Sequence, residues 1–574
     1  MSIAEPRALY QERTQSVTSS DALQRDIQDL AKGAERFARL SVRERVLLAQ
    51  TCLDGVMATA DEWVEAACRA KGLPAGSPYR AEEIAGGPLA TARYLQLLMH
   101  SLRDIDRHGG PQLPRKPSEG PDGRLRVPVM PAKGVYDSLL FSGFKAHVWM
   151  QPSVTRENLP EHMGAAYRGA PPKPGVALVL GAGNVSSIPP TDAFTKLFQE
   201  GKTVLLKMNP VNEYLGPIFE RAFSALIAPG YLRIVYGGAE VGARAIEDAQ
   251  VDEVHITGSI YSHDAIVWGP PGTDRERRKA QHDPVLKKKI TSELGNVTPW
   301  IVVPGPYSDA QLKFQAENLA ATVTNNASFN CVATKMIVTW KGWRDRERYL
   351  DLVEGVFRRL PRRKAYYPGA MDRFVKFARH EPARGEPGTL PFIMLRDIDP
   401  AVHSLYCQEE SFVSVVGETA LEAKDEGEFL RKATEFANES LWGTLGAGIM
   451  IHPAFRKQGD NERLFQQCLA ELRYGTIGVN HWPALSYAMM SPPWGGYPGA
   501  TLEDTKSGIG WVHNTYMLDG IEKTVLEGPL TIFPKPLWFP THAHAEELSR
   551  KVARFYHAPS PWRLPSVLVS ALKG

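Results

Sequence analysis

Strand-like and helix-like segments alternate with short connections between residues 175 and 293, and this alternation restricts the fold more than any other feature. The run GVALVLGAG is short, wholly apolar and ends in glycines, as a buried parallel strand does. The helical pattern PTDAFTKLFQEG and the strand TVLLKM follow, and two further helix–strand pairs end at EVHITGS. A second set begins near residue 299 with PWIVVPG and reaches KMIVTW through a long helical pattern. Repeated units of this kind predict an α/β fold with two doubly wound parallel sheets.

Composition restricts the class of protein and its compartment. A chain of 574 residues has room for two or three large α/β units, and a net charge of +3 is too small to indicate a nucleic-acid partner. No run of about 18 apolar residues occurs, so we expect no membrane span. The N-terminal stretch MSIAEPRALYQERTQ has no apolar core, so we expect no signal peptide. The five cysteines are scattered without a CxxC pair, which favours free thiols in the reducing cytoplasm.

Three polar positions at segment ends suggest catalytic chemistry. Cys331 lies in the small, amide-rich segment NNASFNC, whereas a structural cysteine usually has apolar neighbours. Glu293 lies in the turn SELGN, and Asn184 lies in the strand-to-helix turn GAGNVSS. Each alone has an ordinary explanation: a packed thiol, a surface carboxylate, a tight turn. Together they supply a nucleophile, a general base and an oxyanion donor.

The GAGNVSS turn also imitates the glycine-rich dinucleotide-binding fingerprint, through Gly181, Gly183 and Ser186. That fingerprint requires a carboxylate at the end of the next strand, where it contacts ribose hydroxyls. Here the next strand ends in Lys207 and Pro210 follows, with no acidic residue. The ordinary Rossmann interpretation is therefore weak, and a tight turn that needs glycine stays open as the alternative.

The order of seven segments resembles the aldehyde dehydrogenase superfamily, from about residue 30 to residue 530. These segments are GAGNVSSIPPTDAF, GKTVLLKMNP, VDEVHITGSI, ELGN, NNASFNC, CQEESFVSVV and GTIGVNHW. The resemblance implies that Cys331 is the thiol nucleophile, Glu293 the general base and Asn184 the oxyanion amide. The chain departs from the family pattern near the cysteine, where Ser328 replaces a glycine.

The resemblance also implies a cofactor, NAD or NADP, and residues that hold it. Lys207 and Glu410 would bind ribose hydroxyls, and Phe412 would pack near the nicotinamide. Gly258 and Ser259 would lie at the pyrophosphate, where a helix start favours anions. No metal site is expected.

Pro210 stands where the family has a glutamate that repels a 2′-phosphate. Its presence predicts that NADP is used at least comparably with NAD. The histidines of THAHAEEL, His542 and His544, are tempting as metal ligands, but their spacing before a helix is more typical of solvent-facing side chains.

The resemblance implies four regions along the chain. A strand extension would pair with a neighbouring subunit in a homodimer or homotetramer, and the C-terminal tail has no assigned role. The regions are a dinucleotide-binding domain of residues 20–123 and 153–293, a catalytic thiol domain of 294–513, an oligomerisation extension of 124–152 and 514–540, and a tail of 541–574.

The implied activity is NAD(P)-dependent oxidation of a small-molecule aldehyde to a carboxylic acid, through a cysteine thiohemiacetal and thioester. Two alternatives stay open. One is reduction of an acyl-CoA or acyl thioester to an aldehyde by the same thiol, although Glu293 favours hydrolysis. The other is a catalytically silent binding or structural protein, which would be expected to lack Cys331, Glu293 or Asn184.

Overall fold

The protein is described by a computed structural model covering residues 15–169, 172–380, 382 and 385–574. Residues 1–14 lie outside the described part. They make up most of the N-terminal stretch in which we expected no signal peptide. The strands are β1 (Ser118–Glu119), β2 (Leu125–Met130), β3 (Lys145–Met150), β4 (Val176–Leu180), β5 (Thr203–Lys207), β6 (Leu232–Val235), β7 (Val251–Thr257), β8 (Lys289–Glu293), β9 (Thr298–Val302), β10 (Thr334–Trp340), β11 (Arg363–Lys364), β12 (Thr389–Leu390), β13 (Ile393–Leu395), β14 (Val415–Leu421), β15 (Gly446–Met450), β16 (Thr476–Val479) and β17 (Ile521–Glu527).

Helices cover both faces of the sheets. They are α1 (Ser20–Ala38), α2 (Val42–Ala70), α3 (Arg80–Ile84), α4 (Ala90–His108), α5 (Val135–Leu140), α6 (Ile188–Phe194), α7 (Gly216–Ala222), α8 (Ser224–Ile227), α9 (Ala239–Glu247), α10 (Ile260–Trp268), α11 (Thr273–Ala280), α12 (Asp309–Thr324), α13 (Arg346–Arg359), α14 (Ala370–Ala378), α15 (Leu405–Gln408), α16 (Glu426–Glu439), α17 (Pro453–Arg456), α18 (Asn461–Glu471), α19 (Ala484–Met489), α20 (Ala545–His557) and α21 (Leu564–Ala571).

The N-terminal helices have clear local causes. Ser41 and Glu44 form a capping box at the start of α2, in which each side chain bonds the other residue's backbone N–H. Gly72 follows the end of α2 with φ +66°, a left-handed conformation that costs glycine little. The N-terminal helical region is therefore divided into α1, α2, α3 and α4.

A five-stranded parallel sheet has the order β6-β5-β4-β7-β8. Its strands are buried on both faces, which explains why the sequence shows apolar runs here in place of alternation. One face packs against a core that contains Phe194 and Phe219, and the other against a core that contains Leu178 and Trp268. The carboxyl ends of β5, β4 and β7 therefore meet at one edge of this sheet.

A ten-stranded sheet has the order β1-β2-β3-β17-β16-β15-β9-β10-β14-β13. The seven strands from β17 to β13 are parallel, and β1, β2 and β3 add an antiparallel edge. Two parallel-sheet units with a small strand extension confirm the predicted fold class.

The strand extension pairs within its own chain, whereas the resemblance implied a neighbouring subunit as the partner. β17 lies parallel to β16, with Thr524 opposite Thr476, and β3 lies antiparallel to β17. Without β17 the outer backbone groups of β16 would lack strand partners, and unpaired strand edges are costly to leave open. The extension thus continues the sheet that carries the candidate nucleophile, while the domain boundaries stay predictions. Across the described ranges no helix has the length and apolar character needed to span a bilayer.

Candidate active site

The segment before Cys331 has a strained backbone. A short turn, Asn325–Ser328, joins α12 to the loop that precedes β10. Asn326, Ala327 and Ser328 have φ values of +53°, +55° and +70°, all in the left-handed region. That region costs a non-glycine residue about 1–2 kcal/mol. Three such residues in succession, all buried, must be held by their surroundings, as strained residues at functional sites are.

Lys71 is one of the side chains that hold this turn. Its Nζ is buried and donates to Asn326 Oδ1 at 2.9 Å, to the backbone oxygen of Asn184 at 2.9 Å and to Glu83 Oε1 at 2.8 Å. The ammonium therefore joins the turn before the cysteine to the loop after β4. Its charge is balanced by Glu83, as a buried ammonium requires.

Lys335 holds the same turn from β10. Its Nζ donates to the backbone oxygen of Ser328 at 3.2 Å, to Ser328 Oγ at 2.8 Å and to the backbone oxygen of Val413 at 3.0 Å. Burial lowers the pKa of this amine, and the charge of Glu410 opposes the shift. The turn and the segment that carries Glu410 are thus linked through one side chain.

Cys331 and Glu293 lie close together. The thiol lies 3.9 Å from Asn330 Oδ1. Burial raises the pKa of the Cys331 thiol, and the charges of Glu293 and Glu410 raise it further. Glu293 is the last residue of β8, and burial raises the pKa of its carboxyl to about 7. Trp494 Nε1 donates to Glu293 Oε1 at 3.0 Å, which favours the ionised form. A carboxyl with this pKa is suited to accept the thiol proton near neutral pH.

Asn184 lies against the nucleophile loop. Its Nδ2 donates to the backbone oxygen of Phe329, two residues before Cys331, at 3.2 Å. The backbone oxygen of Asn184 accepts from Asn326 Nδ2 at 3.0 Å and from Tyr366 OH at 3.3 Å. The three candidates Cys331, Glu293 and Asn184, which lie on separate elements, are therefore brought into one neighbourhood.

Three predicted cofactor residues lie at the carboxyl edge of the five-stranded sheet. Lys207 ends β5, and Gly258 and Ser259 follow β7. The Gly258 N–H donates to the backbone oxygen of Glu293 at 3.0 Å, so this edge adjoins the candidate base. Ser259 caps the nine-residue helix α10, and both Gly258 and Ser259 are exposed. An exposed loop at a helix start is suited to bind the diphosphate of a dinucleotide.

Glu410 and Phe412 lie on the other side of Cys331, on the segment before β14. The Glu410 carboxylate lies against Gly295. A Cβ at position 295 would lie 2.0 Å from Glu410 Oε2, so the close approach requires glycine at this position. Burial raises the pKa of Glu410, and no donor among the described residues reaches its Oε1. Phe412 packs 5.8 Å from Phe329, ring centre to ring centre.

Arg373 adds a second group of unused hydrogen-bonding atoms beside these residues. Within the described ranges its buried Nε and Nη2 atoms have no acceptor, and its guanidinium lies 5.9 Å from the centre of the Phe412 ring. An acceptor on Glu410 and donors on Arg373 fit the hydroxyls and phosphates of a dinucleotide. None of the five predicted cofactor residues lines the main cavity described below.

The main cavity of the protein contains Cys331, Glu293 and a buried polar cluster that sequence reasoning did not identify. Thr257 Oγ1 donates to Asp192 Oδ2 at 2.7 Å, and His513 Nε2 lies 3.8 Å from Asp192 Oδ1. Burial lowers the pKa of His513 to about 4, so this imidazole is neutral at pH 7. The charge of Asp192 contributes to the raised pKa of Glu293. Within the described part of the chain, no three His, Cys, Asp or Glu side chains come together as a metal site.

Sequence reasoning also missed Lys71, Trp494 and Arg373. Lys71 is 113 residues from Asn184, and Trp494 is 201 residues from Glu293, so local patterns contain no signal for these contacts. Arg373 lies in a helix with ordinary apolar periodicity, α14, where an arginine looks like a surface residue.

Comparisons with solved structures agree with this architecture. The chain is similar to an NAD-dependent aldehyde dehydrogenase from Sinorhizobium meliloti, with a TM-score of 0.58 and 18% identity over 91% of this chain and 88% of that one. It is similar to the glyceraldehyde-3-phosphate dehydrogenase GapN from Methanocaldococcus jannaschii, complexed with NADP, with a TM-score of 0.58 and 14% identity over 90% and 96% of the two chains.

A third similar structure is a mutant of aldehyde dehydrogenase C from Pseudomonas syringae, in complex with NAD+ and octanal. Its TM-score is 0.58, with 15% identity over 91% of each chain. No protein-family profile matches this chain, and no curated protein sequence matches it. The chain therefore has the fold of the aldehyde dehydrogenases, as its segment order led us to expect, although its sequence shares only 14% to 18% identity with these three structures.

Proposed function

We propose that the protein oxidises an aldehyde to a carboxylic acid with NAD or NADP as the acceptor. One observation carries the proposal: Cys331 and Glu293 line the main cavity of a chain with the aldehyde dehydrogenase fold, and the Asn184 side chain bonds the loop that leads to Cys331. The three structures named above are aldehyde dehydrogenases whose names or bound groups include NAD or NADP. The raised pKa of Glu293 suits a general base, and the raised pKa of the Cys331 thiol makes such a base necessary for forming the thiolate.

In the first half of the proposed reaction, Cys331 is the nucleophile. Glu293 accepts the thiol proton, and Sγ attacks the aldehyde carbon to form a tetrahedral oxyanion. The amide nitrogen of Asn184 carries two N–H groups, and only one is needed for Phe329, so the other is available to the oxyanion together with the Cys331 backbone N–H. A donor of this kind contributes about 3 kcal/mol to transition-state stabilisation.

In the second half, Glu293 acts on water. When bound, the oxidised nicotinamide supplies the hydride acceptor. Loss of hydride from the tetrahedral carbon would leave a thioester on Cys331. Glu293 would release the first proton to solvent and, once ionised, would remove a proton from the attacking water. The acid departs and the thiol is restored. Lys207, Gly258, Ser259, Glu410 and Phe412 would hold the cofactor, with Arg373 as an added candidate.

The test is turnover of a panel of aldehydes, followed by NAD(P)H absorbance at 340 nm and by identification of the product. We expect a carboxylic acid that forms without coenzyme A. The Cys331→Ala variant should lose turnover and still bind the cofactor. The Glu293→Gln variant should lose nearly all turnover and release at most one NAD(P)H per site, slowly, because the thiol loses its proton acceptor and deacylation loses its base.

Three results would contradict the proposal or its nucleophile. Faster formation of acyl-CoA than of acid when coenzyme A is present, or of aldehyde from acyl-CoA and NADPH, would favour the thioester reductase. Cofactor binding without turnover of any aldehyde or acyl-CoA would favour a silent protein with this fold. Alkylation of Cys407 in parallel with inactivation, while Cys331 stays unmodified, would show that Cys407 and not Cys331 is the nucleophile.

A further inference from the structure

The main cavity extends from the catalytic residues into an apolar interior. Its volume is about 200 Å³, and it opens to solvent. Beyond Cys331 its wall is formed by α19 and the residues just before it, through Trp482, Leu485 and Met489, and by Leu89 from the segment between α3 and α4. These four side chains are largely buried and apolar. A space with such walls favours a hydrocarbon over a polar ligand.

The C-terminal region completes this wall. Leu537 precedes α20, and Ala545, Val552 and Tyr556 of α20 face the cavity. Helix α20 packs against α3 and α4, and its apolar side joins a core that includes Leu89 and Val567 of α21. The region of residues 541–574, to which the sequence assigned no role, therefore borders the same space as the nucleophile.

The charged groups on this side of the cavity are paired within the protein: Lys71 with Glu83, Glu82 with Arg363, and Arg93 with Asp137. Arg93 donates to both carboxylate oxygens of Asp137, at 2.7 and 2.8 Å, to Tyr556 OH at 2.6 Å and to the backbone oxygen of Met489 at 2.7 Å. The pKa of Asp137 is lowered by Arg93 in spite of burial, so both partners stay charged and balance each other. Their bonds also fix α20 to α4 and to the end of α19. Arg93 therefore acts as a structural tie and is not available to bind an anionic substrate end.

From these walls we infer that the substrate is an aldehyde with a long, unbranched and uncharged hydrocarbon chain that extends from Cys331 to α20. The inference rests on the proposed oxidation for its reactive group. Apolar contact contributes roughly fourfold in affinity for each methylene removed from water, as long as the added methylene still meets the wall. The chain end of the substrate would contact Val552 and Leu89, whereas a short aldehyde would leave this space to water.

The first experiment compares straight-chain aldehydes at saturating cofactor. We expect kcat/KM to increase from propanal through octanal to dodecanal, by at least a hundredfold in total, and mainly through KM. A branched or charged aldehyde of equal length should be a poorer substrate. Equal or better use of propanal than of dodecanal would overturn the inference and leave the proposed function in place.

Two variants of the cavity wall test where the hydrocarbon chain of the substrate ends. Val552→Trp fills the cavity from α20, and Leu485→Trp fills it from α19, so a folding defect in one does not remove the test. Each should lower the dodecanal-to-propanal ratio of kcat/KM at least tenfold. Leu568→Trp on the exposed side of α21 is the matched control and should leave that ratio as in the wild type. A ratio that stays constant in both folded wall variants would overturn the inference.

A binding measurement separates this inference from the proposed chemistry. The Cys331→Ala variant is titrated calorimetrically with decan-1-ol and with propan-1-ol, which require no reaction. Decan-1-ol should bind at least a hundredfold more tightly, and Val552→Trp in the same background should reduce its affinity at least tenfold. This result without any aldehyde turnover would support the apolar chain site and contradict the oxidation. Equally weak binding of the two alcohols would overturn the inferred site for a hydrocarbon chain, whether or not the enzyme oxidises aldehydes.

Discussion

At the residue scale, the site depends on the ionisation of Glu293. Its pKa of about 7 means that the base is half ionised near neutral pH, and burial is the main cause. Because the ionised form is the active one, we expect kcat/KM to fall as pH is lowered through about 7. Trp494→Phe removes the donor to Glu293 and should move this acid limb upward by about one to two pH units, since a hydrogen bond to a charged group contributes about 1.5–3 kcal/mol.

The control for this shift is another buried tryptophan. Trp268 Nε1 donates to the backbone oxygen of Leu502, far from Cys331 in the fold. Trp268→Phe should lower stability in a similar way and leave the acid limb in place. A limb that stays at its wild-type pH in Trp494→Phe would show that Glu293 is not the group that limits the rate.

Cofactor preference is also decided by single residues. Pro210 is exposed, three residues after Lys207, and brings no carboxylate to this edge of the sheet. We expect NADP+ to be used at least comparably with NAD+, because Lys207 is a cation and Pro210 supplies no carboxylate to repel a 2′-phosphate. Pro210→Glu should lower the NADP+-to-NAD+ ratio of kcat/KM at least tenfold, and Pro210→Gln, which is uncharged, should not. A hundredfold preference of the wild type for NAD+ would contradict this assignment.

At the element scale, the turn between α12 and β10 is held by bonds from distant elements. Lys335 supplies two donors to Ser328 and one to Val413. Lys335→Met removes them and leaves Glu410 without its nearest cation. We expect kcat to fall at least tenfold and the free energy of unfolding to fall by about 1–3 kcal/mol, because buried polar groups lose their partners.

Lys341→Met is the matched control for that change. Lys341 directly follows β10, is exposed and pairs with the exposed Glu422, a contact with a contribution of at most about 1 kcal/mol. Turnover should be preserved in this variant. Alkylation of Cys331 by iodoacetamide gives a second readout, since a disordered turn changes its rate. Wild-type kcat and alkylation rate in Lys335→Met would contradict a role for Lys335 in positioning the nucleophile.

At the scale of the whole molecule, the strand extension closes the sheet of its own chain. The predicted homodimer or homotetramer stays a prediction, and its interface would have to use surfaces other than the outer edge of β16. We expect light scattering to give at least twice the chain mass of 63.5 kDa. A single-chain mass at micromolar concentration would contradict the assembly.

The predictability of the fold differs from element to element. The end of α2 at Gly72 and the strands β4, β5 and β7 were predictable because capping, turn chemistry and apolar runs act over a few residues. The pairing of Thr524 with Thr476 was not, because it depends on which open strand edge lies nearby in three dimensions. The candidate residues Cys331, Glu293 and Asn184 were found from local chemistry and segment order, whereas Lys71 and Trp494 have no local signal.

The sequence by itself determined the α/β class, the two parallel sheets and the candidate nucleophile, base and amide, since short-range pattern encodes them. Only the tertiary structure decided that Glu293 is buried against Trp494 and Asp192, that Lys71 and Lys335 hold a left-handed turn, and that α20 borders the cavity of Cys331. The physical reason is that burial and long-range contacts set pKa values, strain and cavity shape. These properties arise only when segments far apart in the chain pack together.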